Sequence, residues 1–185
     1  SLNQVANAPG SFDNLVANLT SNLCGKRIYG PLKDNWTPRD YGYPSLFLTR
    51  DVEGQDIVPI GGNNNWYTTW YNNVKYLAAG YAATQLPWTY YYGWINDCNI
   101  VIKNAGATNY SIPMSGREHG AGIAYALRAM YYLDLARMYA AKPYSVDHKA
   151  LTTIKADETR TIAEARNSER MTWDEAFAFI LKDLD

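Results

Sequence analysis

The feature that most constrains this chain is a long helix whose two ends are both marked in the sequence. Ser115 and Glu118 have the S-x-x-E spacing of a capping box, which satisfies unpaired backbone N–H groups where a helix begins. Pro143 follows Lys142, and a proline at this point ends a helix. The apolar positions between these ends recur at helical spacing, at Leu127, Tyr131, Leu135 and Met138. Because so long an apolar face must be covered, the segment predicts a helical protein.

Small and bulky side chains alternate within this helix. Tyr131 and Tyr132 are bulky, and the small residues are Ala121, Gly122, Ala124, Ala126 and Ala129. Small residues let a neighbouring helix approach, and the tyrosines fill the gap that faces them. This alternation is typical of stacked hairpins of the tetratricopeptide type. No clean 34-residue period accompanies this alternation, but it favours an all-α fold class with tetratricopeptide-like helical hairpins and long irregular loops.

Three more segments predict helices. Ser11 is a candidate N-cap of the first and Gly25 its stop, with inward positions at Leu15, Val16, Leu19 and Leu23. Pro87 suits the first turn of the second, whose apolar stripe is Tyr91, Trp94, Ile95, Cys98, Val101 and Ile102. Thr172 and Glu175 form a second capping box, and the inward residues of the helix that follows are Trp173, Ala176, Phe177, Ile180 and Leu184.

The remaining segments carry less pattern. Residues 1–10 are small and polar and are predicted to be a tether, which leaves 11–185 as one domain. Residues 30–62 contain four prolines, and their SLFLT and DIVPI runs are predicted to be short extended segments. A helix is predicted over 66–83, with one inward stripe at Trp66, Trp70, Val74 and Leu77.

Charge is balanced along the chain, which argues against several function classes. The 17 basic and 18 acidic residues divide into 6 against 6 over residues 1–90 and 11 against 12 over residues 91–185. No basic cluster of the kind that binds nucleic acid or an anionic membrane is present. No run of 18 apolar residues predicts a membrane span, and residues 1–10 do not have the pattern of a signal peptide.

No motif indicates catalysis, a metal or a cofactor. The chain has no G-x-S-x-G, S-x-x-K, Walker or G-x-G-x-x-G pattern. His119 and His148 have no metal-binding spacing around them and are expected at a surface or interface. A group of acidic residues does not match a calcium-binding loop and is expected to be a solvated turn: Asp51, Glu53 and Asp56. The sequence therefore predicts a protein that is not an enzyme.

Two features have alternative interpretations. Cys24 and Cys98 lie in helical patterns, where free thiols are favoured over a disulfide. Arg128 lies on the inner side of its helix, where it pairs with Asp134, Asp97 or a helix C-terminus, or else grips a ligand carboxylate. Internal pairing is the favoured interpretation.

Several segments of the chain carry motifs in a particular order. WTYYYGWINDCNIVIKN (88–104) has the pattern W-x-x-x-Y-x-x-I-x-x-C/A-N. ALRAMYYLDLARMYAAKPY (126–144) has the pattern LRA-x-x-Y-x-x-L, and the segment 160–185 contains I-x-x-D-L. Helical motifs in this order resemble those of the SusD/RagB family of Bacteroidetes outer-membrane lipoproteins. RDVEGQDIV (50–58) resembles the acidic segment between the first helices of family members.

The resemblance implies a fold and a role. The fold would be α-helical, with tetratricopeptide-like helix pairs, held at the cell surface of the outer membrane through a lipidated N-terminal cysteine that this chain lacks. The role would be to bind glycans and deliver them to a SusC-like TonB-dependent transporter, without catalysis. Family members are longer, so the resemblance also implies an N-terminal portion that ends within a helix.

The candidate glycan site is NNNWYTTWYNN (63–73). Sugar faces stack on Trp and Tyr, and sugar hydroxyls bond to Asn amides. Tyr (16) and Trp (6) outnumber Phe (4), which favours rings that also carry a polar group. The candidate ligand-binding residues are Asn63, Asn64, Asn65, Trp66, Tyr67, Tyr71 and Asn72. Two alternatives stay open: a helical-repeat adaptor that binds protein, with these aromatics in its core, and a carbohydrate-active enzyme.

Overall fold

A computed structural model describes residues 8, 10–25, 42–60, 67–71, 76–107 and 116–185. The helices in these ranges are α1 (Ser11–Cys24), α2 (Gly42–Glu53), α3 (Thr68–Tyr71), α4 (Ala82–Ala105), α5 (Glu118–Tyr139), α6 (Ile162–Arg166) and α7 (Trp173–Leu184). The strands are β1 (Leu151–Ile154) and β2 (Arg170–Thr172). The chain forms two compact units, one of Ser1–Leu19 with Tyr91–Asp185 and the other of Thr20–Tyr90. The fold is mostly helical, as predicted.

In the first unit, α4 and α5 form an antiparallel hairpin. The Tyr91 ring contacts the Tyr131 ring at 5.9 Å between centroids, edge to face. Eight residues further along α4, the Asn99 side chain accepts a hydrogen bond from Arg128 at 2.8 Å. Because the α4 positions rise while their α5 partners fall, the two helices run in opposite directions.

The second hairpin pairs α5 with α7. Tyr132 on α5 meets the Phe179 ring edge to face at 5.0 Å. Arg128, one turn earlier on α5, bonds to Asp183, one turn later on α7. The order is again reversed, so α5 lies between two antiparallel neighbours. This arrangement confirms the predicted helical hairpins.

The predicted apolar stripe of α4 is buried, but the residue at which the helix begins was predicted wrongly. All six stripe residues, from Tyr91 to Ile102, are at most 5% exposed. The helix begins at Ala82, so Pro87 lies inside it rather than in its first turn. A proline there supplies no N–H to the helical ladder.

The capping box predicted at Ser115 and Glu118 is also wrong. The helix begins at Glu118, and Arg117 holds the N-cap position without a side-chain cap. Arg117 is buried and donates from Nη1 to the Asn104 backbone carbonyl, at the end of α4, at 2.6 Å. Glu118 is therefore the first helical residue, at position N1. The glutamate of a capping box lies two positions later, at N3. Ser115 is outside the described residues.

Another helix approaches α5 closely at Gly120, which was not among the small residues named from the sequence. A Cβ at Gly120 would lie 2.5 Å from Val16 Cγ2 and 2.7 Å from Phe12 Cε1, both on α1. Of the small residues named above, Ala124 and Ala129 are buried, whereas Gly122 is exposed with open space beside it. Helix α1 thus packs on the first turns of α5.

The helix α1 has the predicted bounds but not the predicted cap. Phe12 and Leu19 are buried, and the other inward positions are half-buried: Leu15, Val16 and Leu23. Ser11 is already helical, and its buried hydroxyl has no partner among the described atoms. Gly10, with a positive φ of 70°, turns the chain into the helix instead.

The capping box of α7 is confirmed. The Thr172 hydroxyl accepts from the Glu175 backbone N–H at 3.3 Å, and the Glu175 carboxylate accepts from the Thr172 N–H at 2.7 Å. Four of the five predicted inward residues are buried or half-buried, but Leu184 is 59% exposed. Asp183 takes the inward position in its place, because Arg128 of α5 bonds to it.

The polar connection between α5 and α7 contains two strands and a short helix that were not predicted from the sequence. The strands β1 and β2 pair antiparallel, with Leu151 opposite Thr172 and an irregularity before Ile154 meets Arg170. The short helix α6 lies between them, and Thr161 and Glu164 form its own capping box. The T-x-x-E spacing at 161–164 is a visible signal of that helix.

In the second unit, the SLFLT run is helical rather than extended. It lies within α2, whose buried positions recur at helical spacing, at Gly42, Ser45, Leu46, Thr49 and Val52. Gly42 has a positive φ of 63°, and a Cβ there would lie 2.3 Å from the Leu23 carbonyl oxygen. Residues 57–60, in the DIVPI run, form neither helix nor strand. The four prolines therefore did not exclude a helix, because Pro44 lies in its first turn, where no donor is needed.

The helix predicted over 66–83 does not form as one element. Helix α3 covers only Thr68–Tyr71, and turns at residues 78–81 precede α4. Trp70 is 2% exposed, as the inward stripe predicted, but Leu77 is 60% exposed. Trp66 and Val74 lie outside the described residues. Among the helices of the described residues, none is long and apolar enough to cross a membrane.

Candidate ligand-binding site

Two of the seven predicted ligand-binding residues can be placed. Tyr67 directly precedes the single turn of α3, and Tyr71 is the last residue of that turn. The other five lie outside the described residues: Asn63, Asn64, Asn65, Trp66 and Asn72. These two tyrosines differ in their contacts and in their exposure to solvent.

Tyr67 is anchored to helix α2. Its hydroxyl lies 3.0 Å from the Ser45 hydroxyl, a residue that is 3% exposed. Its ring contacts the buried Trp70 ring at 6.1 Å between centroids. Because the hydroxyl is bonded within the unit and the ring is half-buried, Tyr67 mainly fixes α3 against α2.

Tyr71 faces solvent. It is 43% exposed, one residue after the buried Trp70. A buried indole fixes the backbone beside it, so the Tyr71 ring extends from a held position rather than from a free loop. An exposed tyrosine on a fixed backbone has the form of a stacking surface for a flat sugar face.

A second set of half-exposed aromatic residues lies on α2. Tyr43 and Phe47 meet edge to face at 4.9 Å, and the Arg50 guanidinium lies 4.9 Å from the Phe47 ring centroid. These three residues follow the i, i+4, i+7 spacing of one helix face. Sequence patterns did not indicate these residues, because the segment was predicted to be extended.

The two histidines and the three acidic residues considered from the sequence do not lie in a catalytic or metal-binding arrangement. His119 is exposed. His148 is also exposed, stacks on Tyr144 at 4.1 Å and lies 3.9 Å from Asp174. The acidic residues Asp51, Glu53 and Asp56 are solvent-exposed, the first two within the last turn of α2. The described residues contain no group of three or more His, Cys, Asp or Glu placed to hold a metal ion.

Both cysteines are free thiols, but their environments differ. Cys24 is exposed, whereas Cys98 is buried in α4. Burial raises the pKa of the Cys98 thiol to about 12, against a smaller opposing effect of Arg128. A protonated, buried thiol is chemically inert, so Cys98 acts as an apolar core residue.

Arg128 forms an internal ion pair, as favoured, but not with the partners named from the sequence. Its guanidinium donates to both carboxylate oxygens of Asp183, each at 2.7 Å. It also donates to Glu158 at 2.5 Å and to Asn99 at 2.8 Å. Asp134 instead accepts a hydrogen bond from the Tyr91 hydroxyl at 2.8 Å. A bidentate arginine fixes both the distance and the angle of its partner.

This cluster joins three of the four segments that carry the family resemblance. Asn99 belongs to the first motif, Arg128 to the second and Asp183 to the third. Arg128 is 2% exposed, and the attraction of Asp183 and Glu158 outweighs desolvation and raises its pKa. The sequence showed each motif, but only the structure shows that they contact one another.

A family model described as "Starch-binding associating with outer membrane" matches residues 45–185. Among solved structures, the chain is similar to a SusD-like carbohydrate-binding protein from Bacteroides vulgatus, with 23% identity and a TM-score of 0.73. It is also similar to a SusD superfamily protein from Bacteroides fragilis, with 22% identity and a TM-score of 0.73. No protein of curated function matches the chain.

The two solved structures are longer than this chain. The match covers 94% of this chain but 34% of the Bacteroides vulgatus protein. For the Bacteroides fragilis protein, the figures are 95% and 38%. The chain therefore spans little more than a third of the length of either structure, and at these identities the likeness establishes the fold alone.

Proposed function

The chain belongs to the SusD-like family, and from that membership we propose that it is part of a cell-surface protein that captures oligosaccharides or polysaccharides. The observation that carries the proposal is the family match over residues 45–185, whose description is starch binding at the outer membrane. We further propose that the captured glycan passes to a SusC-like TonB-dependent transporter.

We place the ligand at the segment around α3. Tyr71 supports this proposal because its exposed ring follows the buried Trp70 directly. Five neighbouring residues complete the proposed site and would supply amide groups and one more ring: Asn63, Asn64, Asn65, Trp66 and Asn72. Tyr67 would hold this segment to α2 through Ser45 rather than contact the glycan with its hydroxyl.

The experiment is affinity gel electrophoresis of the full-length protein on a panel of polysaccharides that includes starch. Binding should retard the protein on at least one neutral glycan. Replacing Tyr71 with alanine should weaken that binding roughly threefold to tenfold, the value of one aromatic contact. Trp66→Ala and Asn72→Ala should weaken it as well.

Tyr81 provides a matched control. It is 43% exposed, the same as Tyr71, and its ring contacts Tyr76 edge to face at 5.3 Å. Tyr81→Ala should leave glycan binding unchanged. Equal losses for both variants, or no loss for Tyr71→Ala, would overturn the placement of the site but not the family role.

The same samples test the alternatives to a binding protein. Reducing-sugar release from a bound polysaccharide would indicate a carbohydrate-active enzyme. Retention by no glycan at all would favour a helical adaptor that binds protein. We expect binding without release, because a SusD-like protein is expected to bind glycans rather than cleave them.

The proposed transfer to a transporter and the proposed location need a separate experiment. We propose that the protein is lipid-anchored at the outer membrane, with residues 1–10 as a tether and 11–185 as part of the helical domain. Purification of the tagged full-length protein from outer membranes should recover a TonB-dependent transporter with it. Recovery of the protein alone, in the soluble fraction, would count against both proposals.

A further inference from the structure

An open groove of about 720 Å³ lies along α7 and the segments that lead into and out of β2. Four basic residues line it, namely Lys155, Arg160, Arg170 and Lys182, and two acidic residues, Glu169 and Glu175. The lining therefore has an excess of two positive charges, whereas the whole chain has a net charge of −1. All these residues belong to the unit that contains α5 and α7.

One of the two carboxylates is already engaged in a helix cap. Glu175 accepts hydrogen bonds from the Thr172 backbone N–H at 2.7 Å and from the Thr172 hydroxyl at 2.9 Å. Glu169 is exposed at the rim of the groove. Both carboxylates keep their negative charge, so the excess of the lining stays at two positive charges.

Arg170 and Arg160 are held in place by neutral groups. Arg170 donates to the backbone carbonyls of Thr152 and Tyr139. Arg160 donates to the Ser168 hydroxyl at 2.6 Å and to the Lys155 carbonyl at 3.4 Å. A carbonyl or hydroxyl acceptor orients a guanidinium but leaves its positive charge uncompensated.

The two lysines differ from each other. Lys155 pairs with Asp157 at 3.0 Å and lies 4.9 Å from the centroid of the Phe179 ring. Lys182 is exposed and makes no ion pair with any residue that the structure describes. Three cations thus remain without a bound carboxylate: Arg160, Arg170 and Lys182.

Among the residues that the structure describes, Phe179 is the only aromatic one that lines the groove, and it is 8% exposed. These residues therefore offer no free aromatic surface to a neutral sugar. The cations of Lys155 and Arg128 both lie within about 5 Å of the Phe179 ring centroid. Recognition in this groove must therefore depend on charge and hydrogen bonds rather than on ring stacking.

We propose that this groove is a second saccharide site that binds an oxyanion, either the carboxylate of a uronic acid or a sulfate ester. Guanidinium groups fixed by backbone carbonyls can donate their remaining N–H groups to such an anion. The volume lies within the usual range for small-ligand pockets, with room for more than one sugar ring. The choice of a saccharide rests on the proposed function, whereas the preference for an anion rests on the groove alone.

The experiment compares polymers that differ in charge. The full-length protein is run in affinity gels with polygalacturonate and with highly methyl-esterified pectin, which has the same backbone without the charge. Dextran sulfate and dextran form the second pair and distinguish a sulfate from a carboxylate. We expect retardation by at least one anionic polymer and not by its neutral counterpart, weakened at high salt.

Lys182→Met tests the groove, and Lys103→Met is the matched control. Both lysines are exposed on a long helix and each substitution removes one positive charge, but only Lys182 lines the groove. We expect Lys182→Met to weaken binding of the anionic polymer roughly threefold to tenfold. Lys103→Met should bind as the original protein does. Thermal unfolding of both variants should be unchanged.

Two results would overturn the proposal. One is equal weakening by both substitutions, which would indicate attraction to overall charge rather than to the groove. The other is no retardation by either anionic polymer. Retention of a neutral glycan by Lys182→Met and its loss in Tyr71→Ala would show that the two sites are separate. If no neutral glycan binds but an anionic polymer does, the site around α3 fails while the groove stands.

Discussion

At the scale of single residues, two glycines on α5 have opposite environments. A side chain at Gly120 would collide with Val16 and Phe12 of α1, whereas nothing lies within 4 Å of a side chain at Gly122. The same substitution at positions two residues apart therefore separates the cost of close packing from the gain in helix propensity.

We expect Gly120→Ala to lower the free energy of unfolding by roughly 1–2 kcal/mol, because α1 must shift to admit the methyl group. Val16 is β-branched and stiff in a helix, and Phe12 is buried, so neither side chain moves aside at little cost. Gly122→Ala should raise the free energy of unfolding by roughly 0.5–1 kcal/mol. Urea unfolding measures both, and stabilisation by both substitutions would contradict the packing of α1 on α5.

At the scale of elements, the two capping boxes start helices of different length. Thr172 starts the twelve-residue α7, and Thr161 starts the five-residue α6. Helix α7 is packed against α5, whereas α6 lies in the connection between the strands. Loss of the Thr172 cap should therefore lower the global stability, whereas loss of the Thr161 cap should reduce only the local order of α6.

Thr172→Ala should cost about 1 kcal/mol of global stability, because it removes the acceptor for the Glu175 N–H. Thr161→Ala should cost less, since α6 can open without unfolding α7. Denaturant unfolding of both variants is the measurement, and equal losses would show that α6 unfolds together with the rest.

The contribution of the Thr172 cap of α7 to stability depends on pH. Hydrogen bonds from Thr172 lower the pKa of Glu175 below its usual value. A lowered folded-state pKa stabilises the fold above the unfolded value of about 4.3, and this contribution is lost as the pH falls. The difference between the original protein and Glu175→Gln should therefore shrink as the pH falls through this range.

The sequence predicted best those features that depend only on residues close together in the chain. The stripe on α4 and the capping box of α7 are local and both are present. Helix α2 was missed because its prolines suggested a loop, although Pro44 lies where a helix tolerates proline. The box at Ser115 was wrong because the buried Arg117 fixes where α5 begins, and that contact is made with the end of α4.

The candidate site was predictable only in part. The inward stripe predicted that Trp70 is buried, and it is 2% exposed, whereas Tyr71, which is not on that stripe, is 43% exposed. No sequence pattern indicated that Tyr67 bonds to Ser45, 22 residues earlier. The groove along α7 was also not predictable, because its basic residues come from three segments that only folding brings together.

At the scale of the whole molecule, several buried acids are held in their protonated forms. Burial raises the pKa of the Cys98 thiol to about 12 and raises the pKa values of the Tyr92 and Tyr132 hydroxyls. Tyr92 donates to the Ile154 carbonyl at 2.7 Å, and Tyr132 donates to the Ala156 carbonyl at 3.0 Å. These bonds attach the β1 segment to the helices.

We therefore expect the free energy of unfolding to fall as the pH rises. The unfolded chain loses protons from cysteine at about pH 8.5 and from tyrosine at about pH 10, whereas the folded chain keeps them. Stability from these groups is complete below those values and decreases above them by about 1.4 kcal/mol per pH unit for each group. Urea unfolding between pH 7 and pH 11 tests this, and Tyr132→Phe should flatten the slope. A constant stability up to pH 11 would contradict it.

The Arg128 cluster also has a consequence for how fast the protein unfolds. Its partners lie 29, 30 and 55 residues away in the chain, so they meet only after α4, α7 and the connection have docked on α5. We expect Arg128→Met to leave Asp183 buried without its partner, at a cost of roughly 3–5 kcal/mol. Because the contacts form late, most of that cost should accelerate unfolding while refolding stays nearly unchanged. The exposed Arg137→Met on the same helix should change neither rate. Arg128 would then determine the lifetime of the native state rather than the speed at which the chain reaches it.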